Sequence, residues 1–290
     1  MKLIVFDLDG TLLNNVSKIS PFTHKTLQLL KHNDIAYTVA TGRSLDSAQA
    51  IIHGYDFTLP HIYSNGVIIW NPQNDSLSLD NCLTSKEAHY ILDTTLLQKI
   101  TPFISAIDQQ QHYIFHPEVT HAAEKRLLDI FKQRKNLTVL PISHMPNDID
   151  ITNISMIGES NEIDTIQQNI NTQTHLIAYS GPAIEGQGLK WMDIHHSDAN
   201  KGNAIEQLRE QLNVSEIICF GDSDNDLSMF AVADESYATA NAKADIKAAA
   251  TGVIGHHHED GVAHYLRERF ALWMDKKELN NGDKRNNNVS

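Results

Sequence analysis

The sequence predicts an α/β fold: a doubly wound parallel sheet interrupted by a second, inserted α/β domain. The prediction depends on three observations. Short apolar runs alternate with helical patterns at the start of the chain, the same rhythm returns after residue 200, and the block between them has a different rhythm. Strands that alternate with helices indicate a parallel sheet covered on both faces.

The first block contains the clearest start signals. Ser20-Pro21 marks the beginning of a helix, because serine is a favoured N-cap and proline suits the first helical turn. The strands expected in this block are 2–7, 35–40 and 60–64, with a hairpin at 67–70 and 77–83, and the helices are 20–33 and 44–54.

The spacing of the elements changes after Cys82 and returns to the first rhythm at residue 201. The middle block predicts helices at 85–98, 117–134 and 162–170, and strands at 101–107, 112–115, near 138, at 151–157, 175–180 and 189–194. The last block predicts helices at 202–212, 227–233, 242–249 and from 261, and strands at 217–220 and 237–239. We therefore expect a core of residues 1–82 and 190–274, an inserted domain at 83–189, and a disordered polar tail at 275–290.

Charge and cysteine content limit the classes of function. The chain has 290 residues and a net charge of −13, with no basic run that would attract nucleic acid or an anionic membrane. Cys82 and Cys219 lie far apart, which indicates neither a disulfide framework nor a zinc site. The N-terminus does not have the pattern of a signal peptide and no apolar run approaches 18 residues, so we expect a cytoplasmic protein.

Polar residues stand at the predicted carboxyl ends of the strands, where parallel α/β sheets bind ligands. Asp7 and Asp9 end the first strand, and the alternation of side chains puts both on one face. Polar groups also follow at Thr41-Gly42-Arg43, Ser64-Asn65-Gly66, Lys201 and Gly221-Asp222-Ser223-Asp224-Asn225-Asp226. Polar groups on this many separate elements predict a binding site at that edge of the sheet.

Several common motifs are absent or incomplete. The sequence has neither the glycine-rich dinucleotide motif nor the P-loop. The spacing of Asp222, Asp224 and Asp226 resembles the start of a calcium loop, but Leu227 and Ala233 occupy the required glycine and glutamate positions. The run His256-His257-His258-Glu259 is able to bind metal, although its position beside a glycine favours a solvated loop.

The acidic residues of this edge would repel one another unless a cation lies among them, and oxygen ligands of this kind suit Mg²⁺. They are Asp7, Asp9 and Asp222, with Asp224 and Asp226 close in sequence. Thr41, Lys201 and the backbone amides after the first strand are able to hold phosphate oxygens. A carboxylate, a metal and phosphate-binding donors are the parts that phosphoryl transfer through an aspartyl-phosphate requires.

These motifs, in this order, resemble the four motifs of the haloacid dehalogenase-like (HAD) superfamily. The motifs are Asp7-Leu8-Asp9-Gly10-Thr11, Thr41-Gly42-Arg43, Lys201-Gly202 and Gly221–Asp226. The Ser64-Asn65-Gly66 turn and the large insertion are similar to the Cof-type branch of sugar-phosphatase-like enzymes. The resemblance implies a Rossmann-like core with the inserted domain as a cap.

The resemblance also implies a role for each residue. Asp7 would be the nucleophile and a metal ligand, and Asp9 the general acid/base that binds metal through its backbone carbonyl. Asp222 would complete the protein ligands of Mg²⁺, and Asp226 would orient Lys201 or a metal-bound water. The phosphate would be held by Leu8, Thr41, Gly42, Lys201 and Asn225.

Two turns depart from the pattern of the branch. Asn65-Gly66-Val67 replaces Asn-Gly-Ala, and Ala240-Asn241-Ala242 replaces Gly-Asn-Ala. Neither departure touches a residue with an implied catalytic role, but the second concerns a loop near the expected metal. The carboxylate of Asp9 favours a phosphatase over the dehalogenases and P-type ATPases of the superfamily, which lack it.

The sequence therefore predicts a Mg²⁺-dependent phosphatase that hydrolyses the phosphomonoester of a small metabolite, such as a sugar phosphate. A phosphotransferase or phosphomutase that uses the same aspartyl-phosphate stays open as an alternative. A phospho-receiver-type signalling protein also uses acidic residues and a lysine on a parallel sheet, but receivers carry no inserted domain of this size. Neither the substrate nor the oligomeric state can be read from the sequence.

Overall fold

The computed structural model describes residues 1–183 and 185–272. Its strands are β1 (Lys2–Phe6), β2 (Ala36–Val39), β3 (His61–Tyr63), β4 (Ile68–Asn71), β5 (Ser76–Leu79), β6 (Phe103–Asp108), β7 (Gln111–His116), β8 (Leu137–Pro141), β9 (Asp150–Glu159), β10 (Leu176–Pro182), β11 (Leu189–His196), β12 (Glu216–Gly221), β13 (Glu235–Ala238) and β14 (Gly252–Val253). Its helices are α1 (Pro21–His32), α2 (Leu45–Ile52), α3 (Ser85–Leu97), α4 (Ala122–Lys132), α5 (Ser160–Ile170), α6 (Lys201–Gln211), α7 (Leu227–Val232), α8 (Ala244–Ala249) and α9 (Gly261–Arg269). The predicted tail at 275–290 lies outside the described residues.

The chain forms two compact units. Among the described residues, the first unit contains 1–39, 51–59 and 208–272, and the second contains 40–50, 60–183 and 185–207. The predicted insertion at 83–189 lies entirely in the second unit. No helix of the described chain is long and apolar enough to cross a bilayer.

The first unit is built on a five-stranded parallel sheet in the order β14-β13-β12-β1-β2. The chain moves outward from β1 to β2 and later returns to the other side of β1 with β12, β13 and β14. This reversal is the doubly wound arrangement, and ligands bind where the strand order reverses. Residues 3–6 of β1 are completely buried because neighbours cover the strand on all sides, which explains its continuous apolar run.

The helix signal at Ser20 is confirmed. The Ser20 hydroxyl accepts a hydrogen bond from the Thr23 amide (3.0 Å), and Pro21 occupies the first helical position of α1. Helix α9 packs on α1, and the Arg267 guanidinium of α9 donates to the Thr26 hydroxyl (2.8 Å).

The second unit contains two sheets. One is a three-stranded antiparallel sheet, β3-β4-β5, and the other has six strands in the order β10-β11-β9-β6-β7-β8, antiparallel except between β7 and β8. Successive side chains of β6 point to opposite faces. Ile104 therefore packs in a core with α3 and α5, whereas Phe103 packs against α4 on the other face.

Some element boundaries differ from the sequence predictions. Helix α4 begins at Ala122 rather than near Pro117, because Glu124 closes its first turn by accepting from the His121 amide (3.2 Å). Strand β11 pairs with β9 from Leu189 to Ile194 and with β10 as far as His196, so the six-stranded sheet extends beyond Leu189. Strand β14 has only two residues and was not predicted.

Candidate active site

The first unit brings three carboxylates together at the carboxyl ends of β1 and β12. One carboxylate oxygen from each of Asp7, Asp222 and Asp226 lies within 4.8 Å of the others. Asp7 and Asp226 are buried and Asp222 is half-buried. We call these three residues the acidic cluster. Carboxylates this close together in a buried setting are typical of a site that binds a cation, or of one in which a carboxylate takes up a proton.

The backbone fixes Asp7 at the reversal point of the sheet. Its amide donates to the Phe220 carbonyl (2.9 Å) and so extends the pairing of β1 with β12 by one residue. The chain then turns tightly over residues 8–12, and the Leu13 amide donates to the Leu8 carbonyl (2.9 Å). Leu8 is completely buried, whereas Asp9 is exposed and lies outside the acidic cluster.

The turn after Asp7 requires glycine at position 10. Gly10 has φ +74°, in the left-handed region, and a Cβ atom there would collide with the Asp222 carboxylate. The absence of a side chain thus lets the loop after β1 approach the loop after β12, which carries Asp222, closely.

Polar side chains from the loop after β13 connect the loops that follow β1 and β12. The Asn241 amide group donates to the Gly10 carbonyl (2.8 Å) and to Asp222 Oδ2 (3.3 Å), and the Thr239 hydroxyl also donates to the Gly10 carbonyl (3.0 Å). Thr11 donates to Asp222 Oδ1 at 3.5 Å. Sequence reasoning assigned no role to Thr239 or Asn241, although the departure at 240–242 had marked this loop as one near the metal.

Asp226 fixes the conformation of the loop after β12. Its Oδ2 accepts from the backbone amides of Asp222 (2.7 Å) and Ser223 (2.9 Å). A Cβ atom at Gly221 would collide with the Asp226 side chain, so glycine is required at the end of β12. These two hydrogen bonds tie the buried Asp226 carboxylate to the backbone that carries Asp222.

The remaining residues of the acidic run point to other partners. Asp224 is paired with Lys243 at the surface (2.7 Å) and is not part of the acidic cluster. Asn225 is half-buried, and its side-chain oxygen accepts from the Ser223 hydroxyl (2.8 Å).

The second unit brings together the other predicted polar loops. The Asn65 amide donates to the Thr41 carbonyl (3.0 Å), and the Arg43 amide donates to the Thr41 hydroxyl (3.1 Å). Gly66 (φ +112°) lies so close to the Asn200 carbonyl that a Cβ atom would collide with it. Thr41 is buried, Gly42 is half-buried, and Lys201, which begins α6, is completely buried.

A cavity of about 450 Å³ lies in the second unit and contacts one face of the six-stranded sheet. Its polar and aromatic lining includes Arg43, Tyr113, Arg134, Asn153, Trp191 and Asp193. Asn153 donates to Asp193 Oδ1 (2.9 Å), and burial raises the pKa of Asp193 to about 6 against the lowering effect of that bond. Burial also lowers the pKa of His112 in the same lining.

Comparisons with known proteins agree with this architecture. The model of the haloacid dehalogenase-like hydrolase family matches residues 4–266. The chain is 26% identical to the 5-amino-6-(5-phospho-D-ribitylamino)uracil phosphatase YitU of Bacillus subtilis, over 93% of this chain and 98% of the relative. It is 25% identical to an HMP-PP phosphatase of Escherichia fergusonii, over 96% and 97%. The solved structure of a haloacid dehalogenase-like hydrolase from B. subtilis superposes with a TM-score of 0.73 at 25% identity, over 92% and 99%.

Proposed function

Because this chain belongs to the haloacid dehalogenase-like hydrolases, in their Cof-type branch, and is a phosphatase of that family, we propose that it hydrolyses the phosphomonoester of a small metabolite with Mg²⁺ through an aspartyl-phosphate on Asp7. The observation that carries this proposal is the acidic cluster at the reversal point of the parallel sheet. The alternatives of a phosphotransferase and a phospho-receiver have no specific support in the geometry.

The donor set of the acidic cluster fits Mg²⁺. It consists of carboxylate oxygens, the ligands that this hard cation prefers. Asp7 and Asp222 would hold the ion through their carboxylates and Asp9 through its backbone carbonyl. When bound, Mg²⁺ supplies positive charge that lets a carboxylate approach an anionic phosphoryl group.

Asp7 and Asp9 would then divide the reaction between them. An Asp7 carboxylate oxygen attacks phosphorus, the bond to the leaving oxygen breaks, and the Asp9 carboxyl gives that oxygen a proton. In the second step the Asp9 carboxylate removes a proton from water, the water oxygen attacks phosphorus, and the bond from Asp7 to phosphorus breaks, releasing phosphate. The exposure of Asp9 supports this role, because a proton donor has to reach both the leaving group and water.

The phosphate would be held by neutral and cationic donors, as in the family pattern. We assign this role to Thr41, Lys201, Asn225 and the backbone amides of Leu8 and Gly42. The order of the four motifs in the sequence supports the assignment. Contacts in the second unit support it too, because the Asn65 amide donates to the Thr41 carbonyl and Gly66 lies against Asn200, the residue before Lys201. Asp226 would support the site by shaping the loop of Asp222.

We further propose that the insertion acts as a cap that binds the leaving group. The sequence predicts the insertion at 83–189, between core segments 1–82 and 190–274, and the pairing of β11 with β10 extends its sheet to His196. The cavity beside Asn153 and Asp193 offers a carboxylate and an amide for hydroxyl or amino groups, with Trp191 for apolar surface. Sugar phosphates and phosphorylated nitrogen-ring metabolites both present such groups.

A panel of phosphorylated metabolites tests the proposed function. The purified chain with Mg²⁺ should release free phosphate over many turnovers from at least one sugar phosphate or phosphorylated ring compound. Product analysis should find the phosphate free rather than transferred to an added sugar. Transfer without release would establish the phosphotransferase alternative, and a single stoichiometric phosphorylation would establish the receiver.

A further inference from the structure

Three consecutive histidines form a second potential metal-binding group in the first unit. His256, His257 and His258 lie in the turn that precedes α9, and one ring nitrogen from each lies within 4.8 Å of the others. The sequence alone favours a solvated loop here. The structure instead brings the three rings together, with the rings of His256 and His258 only 3.8 Å apart between centroids.

The backbone that carries the histidines is held on its C-terminal side. Asp260 adopts a left-handed conformation (φ +56°), and its carboxylate accepts from the hydroxyls of Ser20 (2.6 Å) and Thr23 (3.0 Å) on α1. Gly261 packs so closely against the Gly255 carbonyl that a Cβ atom would not fit. The turn is therefore fixed before any ion binds, which lowers the cost of assembling a site.

The hydrogen bonds of His257 orient it as a metal ligand. Its Nδ1 lies 2.7 Å from the Leu13 carbonyl oxygen, and because a carbonyl only accepts, Nδ1 must carry the proton. The neutral ring then has its lone pair on Nε2. Histidines that bind metals usually donate their other ring N–H to a carbonyl or carboxylate in this way. The His257 amide also donates to the Asn241 side chain (3.2 Å), which contacts Asp222.

We propose that His256, His257 and His258 form a binding site for a divalent transition cation, for which Zn²⁺ is the natural probe. Three imidazoles are a nitrogen donor set that suits Zn²⁺, and they leave a fourth position for water. The carboxylate of Glu259, 4.0 Å from His258 Nε2, adds negative charge beside the rings. The site is distinct in chemistry from the acidic cluster, whose oxygen donors suit Mg²⁺, and it does not depend on the proposed phosphatase mechanism.

The test is calorimetric titration of the full-length chain, without a polyhistidine tag, with Zn²⁺ in saturating Mg²⁺. His258→Asn removes an exposed ligand, and His144→Asn removes another exposed histidine, in the second unit, as a matched control. The wild type and the control should bind one Zn²⁺ per chain. His258→Asn should weaken that binding at least about tenfold, the loss that even an outer hydrogen-bond partner of a metal ligand typically causes.

Absorption spectroscopy with Co²⁺ provides a second readout. The visible bands of a nitrogen-ligated Co²⁺ should appear in the wild type and the control and disappear in His258→Asn, while thermal melting shows that all three are folded. Equal Zn²⁺ affinity in the wild type and His258→Asn would overturn the site, as would the absence of Zn²⁺ binding in the wild type. A chain that binds Zn²⁺ as expected but has no phosphatase activity would refute only the proposed function.

Discussion

The acidic cluster of the first unit and the cavity of the second unit are built in different ways. Backbone hydrogen bonds and glycine contacts set the acidic cluster, since Asp7 continues a strand pairing and Gly10 and Gly221 allow loops to touch carboxylates. Side chains on a sheet face form the cavity, where Asn153 and Asp193 meet across strands. The proposed function thus assigns the chemistry to loops whose conformation the backbone fixes, and the choice of substrate to side chains on a sheet face.

Removing the metal should have the largest effect in this comparison. A chelator should abolish hydrolysis of every substrate, because the Asp7 carboxylate would lose the positive charge that lets it approach an anionic phosphoryl group, and Mg²⁺ should restore it. High Ca²⁺ should inhibit, because its looser coordination misplaces the attacking oxygen. The measurement is phosphate release. Full activity in excess chelator would show that the reaction needs no metal ion in the acidic cluster.

Gly10→Ala should reduce kcat about a hundredfold, because the new methyl group pushes against the Asp222 carboxylate and even small misplacements are costly. Gly54→Ala is the matched control. Gly54 also has a positive φ (+88°), but its Cβ would meet nothing within 4 Å. The control should lose about 1 kcal/mol of stability and keep its kcat. Equal losses of kcat in both variants would mean that backbone strain, not the contact with Asp222, is responsible.

Asp193→Asn should raise KM for the best metabolite substrate while leaving hydrolysis of a small aryl phosphate unchanged. Asp164→Asn, which removes a carboxylate paired with Lys190 elsewhere in the second unit, serves as the control. The raised pKa of Asp193, about 6, gives a further test. The carboxyl is charged above that pH and neutral below it, so if the carboxylate accepts from the substrate, KM should rise as pH falls through 6. A pH profile of KM shared by wild type and Asp193→Asn would exclude Asp193 as its origin.

Asp224→Asn should have the smallest effect. Asp224 lies two residues from Asp222, yet it forms a surface ion pair with Lys243 instead of joining the acidic cluster. Pairs of this kind contribute no more than about 1 kcal/mol to stability. Steady-state kinetics should show nearly unchanged kcat in Asp224→Asn and a severe loss in Asp222→Asn. A comparable loss in both would show that the whole acidic run, and not the acidic cluster alone, serves the reaction.

The sequence predicted most of the first unit because its signals are local. A continuous apolar run identified β1, Ser20-Pro21 identified the start of α1, and the alternation of strands and helices identified the parallel sheet. Strand β14 was missed because two residues carry no periodic pattern. The start of α4 was misplaced because a proline suits the chain before a helix as well as its first turn.

The site was predictable only where position along a strand decides it. Asp7 and Asp222 follow buried strands, and parallel neighbours place their ends together. Asp224 pairs with Lys243 instead of joining the acidic cluster, and the position of Asn241 depends on a loop that packs against Gly10. Such contacts are set by tertiary packing and strand register, which no local pattern records.

In the proposed mechanism Asp7 attacks phosphorus while the Asp9 side chain transfers protons, and trapping the intermediate distinguishes these two roles. Asp7→Asn should leave almost no turnover and no covalent product. Asp9→Asn should lose about 10²–10⁴-fold in turnover, and with an aryl phosphate, whose leaving group needs little protonation, the second step should suffer more than the first.

Intact mass spectrometry of Asp9→Asn after mixing with the aryl phosphate is therefore the decisive measurement. We expect a chain heavier by one phosphoryl group, with the added mass on the peptide that contains Asp7. Turnover by Asp7→Asn together with no trapped phosphoryl group on Asp9→Asn would contradict the proposed mechanism.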